Sequence, residues 1–182
     1  MVYTDAEGSG HIAAALFDGA QTPAFVPHTH APCWMRMPTV GVGIFEFELL
    51  AICLGVMLAL THSPNRPILV CADKLGARGA VVRGTCRARV GRALSSYLWK
   101  MASTNPTLIW IEFAKSNLNV YDAPSRFCVE NKPANAFTRG PLCKNPSKSF
   151  NDLGSEENLL MLGVNNKPTN MADLHCPVHD RV

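Results

Sequence analysis

Long apolar runs are missing from this chain of 182 residues. The longest uninterrupted one, Leu49–Leu60, has twelve residues, where a membrane span needs about 18 or more. Glu46 and Glu48 stand just before it. A buried helix is expected there, and no membrane partner. A cysteine framework is missing too. The seven cysteines are odd in number and scattered, and several, such as Cys53 and Cys71, lie in apolar runs. That argues against a disulfide-stapled secreted scaffold and for reduced, buried thiols in a reducing compartment. The expected location is intracellular, cytoplasmic or nuclear. The N-terminus, MVYTDAEGSG, is polar and acidic, so no secretory leader is expected. No internal repeat is visible.

Acidic residues are absent from one long segment. Lys74, Arg78, Arg83, Arg87, Arg89, Arg92 and Lys100 follow one another with no Asp or Glu between them. The formal net charge is only +3, so the rest of the chain is net acidic. A basic segment on an acidic protein suggests a surface that faces a polyanion. A solvated helix face is the ordinary alternative for such a run. Arg89 and Arg92 are three apart and share one helix face. Tyr97 is expected toward the core, and Trp99 is a candidate for stacking.

What is present is enough for one domain with a real core and a tail. Hydrophobic residues make up 47% of the chain, an ordinary share for a globular protein. Val2–Asp5 and Ile12–Phe17 read as two strands around the turn Glu7-Gly8-Ser9-Gly10. Residues 18–38 are rich in turns, with prolines at 23, 27, 32 and 38, and hide a third strand. From Ile44 to about Thr61 the residues Phe45, Leu49, Ile52, Val56 and Leu60 recur at helical spacing. Pro67–Ala72 reads as a buried strand. A second helix is expected from about Lys74 to Arg83, stopping at Gly84. Thr85 is a candidate cap for a third helix with Val90, Leu94, Tyr97 and Met101 on its inner face. Thr107–Phe113 reads as the last strand, and Asp122 to about Asn131 as a short final helix. The expected fold is α/β: a mixed five-stranded sheet flanked by helices, in the order β-β-β-α-β-α-α-β-α. The domain is expected to span residues 1–131. Residues 132–182, rich in Pro, Asn, Lys and Ser, read as a loosely ordered extension.

Four acids fall at telling places on this scaffold. Asp5 ends the first strand, Glu48 lies in the first turns of the first helix, Asp73 ends the strand PILVCAD, and Asp122 follows the last strand. Each has an ordinary reading: Asp5 as a turn residue, Asp73 and Asp122 as helix caps. Glu46 and Glu48 point opposite ways, being two helical positions apart. One of them is expected to be a solvated residue at the helix start. The order of the acids, taken together, is a way to hold two divalent cations.

The chain resembles the ribonuclease H domains of retroelement reverse transcriptases. The residues that carry the likeness are Thr4-Asp5-Ala6, Glu48-Leu49-Leu50-Ala51, Asp73, and Asn119–Asp122 followed by Ala123-Pro124-Ser125-Arg126. They span roughly residues 1–130. The resemblance implies a ribonuclease H-like fold and hydrolysis of the RNA strand of RNA–DNA hybrids. It implies Asp5, Glu48, Asp73 and Asp122 as catalytic metal ligands for two Mg²⁺ ions, with Mn²⁺ as the alternative. It implies RNA–DNA hybrid or other nucleic acid as partner, gripped by Lys74, Arg78, Arg83, Arg87, Arg89 and Arg92. A reverse transcriptase polymerase domain outside this chain is a further implied partner.

Three positions depart from the family pattern. Lys74 stands where many relatives carry Asn, Phe113-Ala114-Lys115 replaces a Val-Pro turn, and no histidine lies between Trp110 and Asp122. They keep a second reading open, that of an inactive retroelement-derived fragment that only binds nucleic acid. Another nuclease of the same fold is a third reading, against which the Ala-Pro-Ser-Arg motif argues. His175-Cys176-Pro177-Val178-His179 offers three zinc ligands where four are usual, so no zinc site is expected there. His28 and His30 read as structural rather than as a ligand pair.

Overall fold

The computed structural model describes residues 1–19, 24–36, 40–115 and 119. Its elements are β1 (Val2–Ala6), β2 (His11–Leu16), β3 (Ala24–His30), α1 (Ile44–His62), β4 (Ile68–Ala72), α2 (Leu75–Arg83), α3 (Arg89–Thr104) and β5 (Ile109–Phe113). The third strand, hidden among prolines in the sequence, is thus β3. The expected final helix and the expected extension 132–182 lie outside the described residues.

One mixed sheet carries the strands in the order β3-β2-β1-β4-β5. β1, β2 and β3 are antiparallel neighbours, and β4 and β5 run parallel to β1. The chain therefore leaves β1 in one direction for β2 and β3, and returns on its other side for β4 and β5. The carboxyl ends of β1 and β4 stand where that direction reverses. In open α/β sheets the region outside the carboxyl ends of the strands at such a point is the usual place for a ligand.

α1 is apolar and long enough to cross a membrane by length and composition. Here it is the core helix. Its residues from Glu46 to Val56 are all buried, packed on β1 and β2 on one side and on α2 and α3 on the other. A helix that is apolar all round is at home in such a buried position. Leu50, Ile52, Leu54, Val56 and Leu58 share one hydrophobic cluster with Val2 and Ala14 of the sheet and with Ala77, Val81, Leu94 and Leu98 of the outer helices. Ala13 and Ala15 belong to a separate small group with Tyr3 and Phe17 on the opposite face.

Two helix ends differ from the sequence expectation. Thr85 does not cap α3; the cap position is Ala88, with no side-chain bond. Thr85 instead closes α2. Gly84 takes the left-handed conformation, at φ 70°, and its N–H meets the carbonyls of Ala80 and Val81. The Thr85 N–H then donates to Ala80 O at 3.1 Å. That wrapped ending requires the glycine. At the start of α1, Glu46 is not solvated. It is 8% exposed, and its Oε2 accepts the Gly43 N–H at 2.9 Å.

Candidate metal centre

The β1–β4 register pairs Thr4 with Ala72. One residue further along each strand stand Asp5 and Asp73, at the carboxyl ends of adjacent parallel strands. Neighbouring strands lie about 4.8 Å apart, so side chains there meet without any special loop. Glu48 comes from the second turn of α1, which crosses this end of the sheet. One carboxylate oxygen from each of Asp5, Glu48 and Asp73 lies within 4.8 Å of the other two. Three of the four predicted acids therefore converge. Asp122 lies outside the described residues.

Local folding explains each position. Asp5 is 2% exposed because β1 is central and paired on both sides. Asp73 does not cap α2, since Lys74 occupies the cap position. Glu48 and Glu46 divide their roles by helical phase: Glu46 bonds back to the helix start, and Glu48 turns to the acids.

The electrostatics of Glu48 are those of a carboxyl under pressure. Burial, and then the neighbouring Asp5 and Asp73, push its pKa up to about 9. A hydrogen bond from the Ala6 backbone and the nearby Lys74 act the other way. Its Oε2 is buried without a hydrogen-bond partner. A buried polar atom left unsatisfied is costly. Three crowded hard oxygen donors, one of them orphaned, are a donor set that fits a divalent cation of the Mg²⁺ or Mn²⁺ type.

Asn119 opens the motif Asn119–Asp122, and no role for it is readable from the sequence. Asn119 is 5% exposed, and its Nδ2 donates to Thr4 O at 3.0 Å. It thus ties the segment after β5 to the residue before Asp5. No periodicity announces such a bond, because its partners are 115 residues apart.

The basic residues divide into two groups. Lys74, Arg83, Arg87, Arg89 and Arg92 are exposed. Arg78 is partly engaged by β5: its Nη2 is 3.3 Å from Glu112 Oε1, and its Nε donates to Ile111 O at 3.2 Å. Tyr97 packs against the core as expected. Trp99 is 42% exposed, but its Nε1 donates to Val81 O at 2.8 Å and fastens α3 to α2.

No family model matches the chain, and no curated protein matches it. Among solved structures it is similar to a ribonuclease H1 from the halophilic archaeon Halobacterium salinarum NRC-1. The TM-score is 0.49 and the identity 11%, over 68% of this chain and 91% of that one. Values this low give no residue here a role.

Proposed function

We propose that this chain is a metal-dependent nuclease of the ribonuclease H type, hydrolysing the RNA strand of RNA–DNA hybrids. The observation that carries the reading is the convergence of Asp5, Glu48 and Asp73 at the reversal point of the sheet. Asp5, Glu48 and Asp73 would hold the cations, with Asp122 as the fourth ligand. Two Mg²⁺ ions bound there, or Mn²⁺, would supply activation of water and charge stabilisation at the leaving oxygen. The chain's own part is to fix the three carboxylates on β1, α1 and the end of β4, and to keep one side of the crevice dry through the apolar body of α1. The sequence motif Asn119–Asp122 with Ala123–Arg126 supports a retroelement origin. A polymerase domain is the partner that origin implies.

The basic residues support a phosphate-binding surface beside this crevice. Neither α2 nor α3 carries an acid in its first turn. Lys74 caps α2, and Arg89 and Arg92 open α3. Cations at a helix N-terminus oppose the macrodipole, at roughly 0.3–1 kcal/mol each. A phosphate bound there turns that cost into an attraction. Such contacts position a hybrid without reading its sequence.

A second reading has one observation in its favour. Lys74 is close enough to Glu48 to act on its charge, and an ammonium there competes with a metal for the carboxylates. On that reading the chain binds nucleic acid without cutting it. Cleavage of a labelled RNA–DNA hybrid with Mg²⁺, and in its absence, separates the two. No cleavage at any Mg²⁺ or Mn²⁺ concentration, with hybrid binding intact, would establish the second.

The surface itself has a separate test. Replacing Arg89 and Arg92 by Ala is expected to lower the salt slope of hybrid binding by up to about 2, at roughly 0.7–0.9 per lost phosphate contact. Filter binding in Ca²⁺ at several salt concentrations reads it. Folding is expected to survive, because Val90, Leu94 and Leu98 carry the buried face of α3. An unchanged slope in the folded double variant would remove this patch from the interface.

A further inference from the structure

Two backbone carbonyls stand directly before the two strand-end acids. Thr4 precedes Asp5 on β1, Ala72 precedes Asp73 on β4, and Thr4 and Ala72 are register partners. The chain leaving β5 bonds to both. The Ala114 N–H donates to Ala72 O at 3.0 Å, and Asn119 Nδ2 donates to Thr4 O at 3.0 Å. A further bond, from the Asn119 N–H to Lys115 O at 3.0 Å, holds Asn119 beside the end of β5. Two residues of one short stretch, Ala114 and Asn119, thus clamp the carboxyl ends of both acid-bearing strands.

Peptide planarity carries the Asn119 bond through to an acid. The Thr4 carbonyl oxygen lies in one plane with the nitrogen and Cα of Asp5. A donor on that oxygen therefore fixes the plane from which the Asp5 side chain departs. On the β4 side Asp5 stands past the last register pair, Thr4 with Ala72, so a hold on this peptide matters there. The two clamping bonds differ in origin. Ala114 donates from its backbone, as any residue but proline could. Asn119 donates from a side chain that is 5% exposed, so its bond depends on residue identity. A short carboxamide brings a neutral N–H to the carbonyl. An ionised aspartate of the same shape only accepts, and leucine offers no donor at all.

We propose that Asn119 is a positioning residue of the metal centre: by holding the Thr4–Asp5 peptide it aims the Asp5 carboxylate at Glu48 and Asp73. One oxygen from each of these three acids lies within 4.8 Å of the other two. A cation of the Mg²⁺ type demands near-ideal octahedral geometry and tolerates little misplacement of a ligand. Outer partners that orient metal ligands are worth about 10–100-fold in metal affinity. Asn119 acts through Asp5, not by ligation. This role rests on the reading of Asp5, Glu48 and Asp73 as cation ligands. It is independent of whether the bound ions cut RNA.

Calorimetric titration of the full chain with Mg²⁺, and with Mn²⁺, in the absence of nucleic acid is the test. Asn119→Leu keeps the volume and removes the donor, and is expected to weaken binding about 10–100-fold. A purely structural asparagine would lower stability without singling out the metal site. Leu98→Val, which trims the buried face of α3, supplies the comparison. It is expected to lower the urea midpoint while binding Mg²⁺ as the wild type does. Wild-type affinity in a folded Asn119→Leu chain, or an equal loss of affinity in Leu98→Val, would overturn the proposal. A second measurement needs no variant to fold. In the wild-type chain Mg²⁺ is expected to shift the Asn119 side-chain amide resonances in step with the Asp5 carboxyl ¹³C signal. Asn119 signals that stay put while the Asp5 signal moves would also overturn it. Hybrid cleavage enters none of these measurements, so this role and the nuclease reading can fail separately.

Discussion

Glu48→Gln is expected to reduce Mg²⁺-dependent hybrid cleavage at least about 100-fold and, without metal, to make the protein more stable. Groups that merely orient a metal ligand cost about 10–100-fold when removed, so loss of a ligand itself should cost no less. The stability gain has its cause first in the burial of the Glu48 carboxyl and then in its crowding by Asp5 and Asp73. Glu48 has a folded pKa of about 9, against an ordinary value of 4.5. Between those values the folded chain holds a proton that the unfolded chain has released. Stability contributed by this group is therefore full below about pH 4.5 and falls as pH rises towards 9, by up to ~1.4 kcal/mol per pH unit. At neutral pH the cost is on the order of 3 kcal/mol. A glutamine keeps the acceptor for the Ala6 N–H and carries no charge. Urea unfolding in EDTA at pH 5, 7 and 8.5 is the measurement. The wild type should lose stability across the series while the variant holds level. A divalent cation should reverse the trend in the wild type alone. A variant no more stable than the wild type at pH 8.5 would mean that an ionised Glu48 is neither penalised by burial nor pressed by its acidic neighbours.

Much of this site was legible in the sequence because its parts are local. A strand that ends in Asp, and an acid set in an apolar helical run, are both readable from period and punctuation. The order of Asp5, Glu48 and Asp73 along the chain became a cluster because α1 leads from β3 across to β4, and β4 pairs in parallel with β1. The misreadings share one physical feature: each depended on a partner that chain spacing does not name. Thr85 looked like a cap because its hydroxyl suits one, but its backbone N–H was already needed to close α2. Glu46 looked solvated, yet its carboxylate folds back on the Gly43 N–H. β3 itself was obscured by proline at 23 and 27, which breaks the alternation a strand would otherwise show.

The second large effect is expected at Gly55, far from any acid. Glu48, Ile52, Gly55 and Ala59 follow at steps of four, three and four and form the stripe of α1 that meets the sheet. A Cβ on Gly55 would lie 2.6 Å from Thr4 Cγ2 and 2.7 Å from Val2 Cγ1. Those atoms belong to β1, which is hydrogen-bonded to a strand on each side and cannot yield. The helix must move instead. Alanine gains about 1 kcal/mol of helix propensity over glycine, but forcing an extra methyl into a packed core costs about 1–3 kcal/mol. Gly55→Ala is therefore expected to destabilise the chain modestly, on the order of 1 kcal/mol net. Gly55→Val should cost more, since it adds bulk and a β-branch without alanine's propensity. The informative readout is the metal site. Glu48 is seven residues, about two turns, from Gly55 on the same stripe, so a displaced α1 carries Glu48 away from Asp5 and Asp73. Mg²⁺ affinity, followed by calorimetry on the folded variant, should fall about tenfold or more, in step with the loss that moving a ligand's support produces elsewhere. The rise of Glu48 above the ordinary carboxyl range should shrink at the same time, because its acidic neighbours recede. A folded Gly55→Val protein with wild-type Mg²⁺ affinity would show that the carboxylate cluster does not depend on the close approach of α1 to β1.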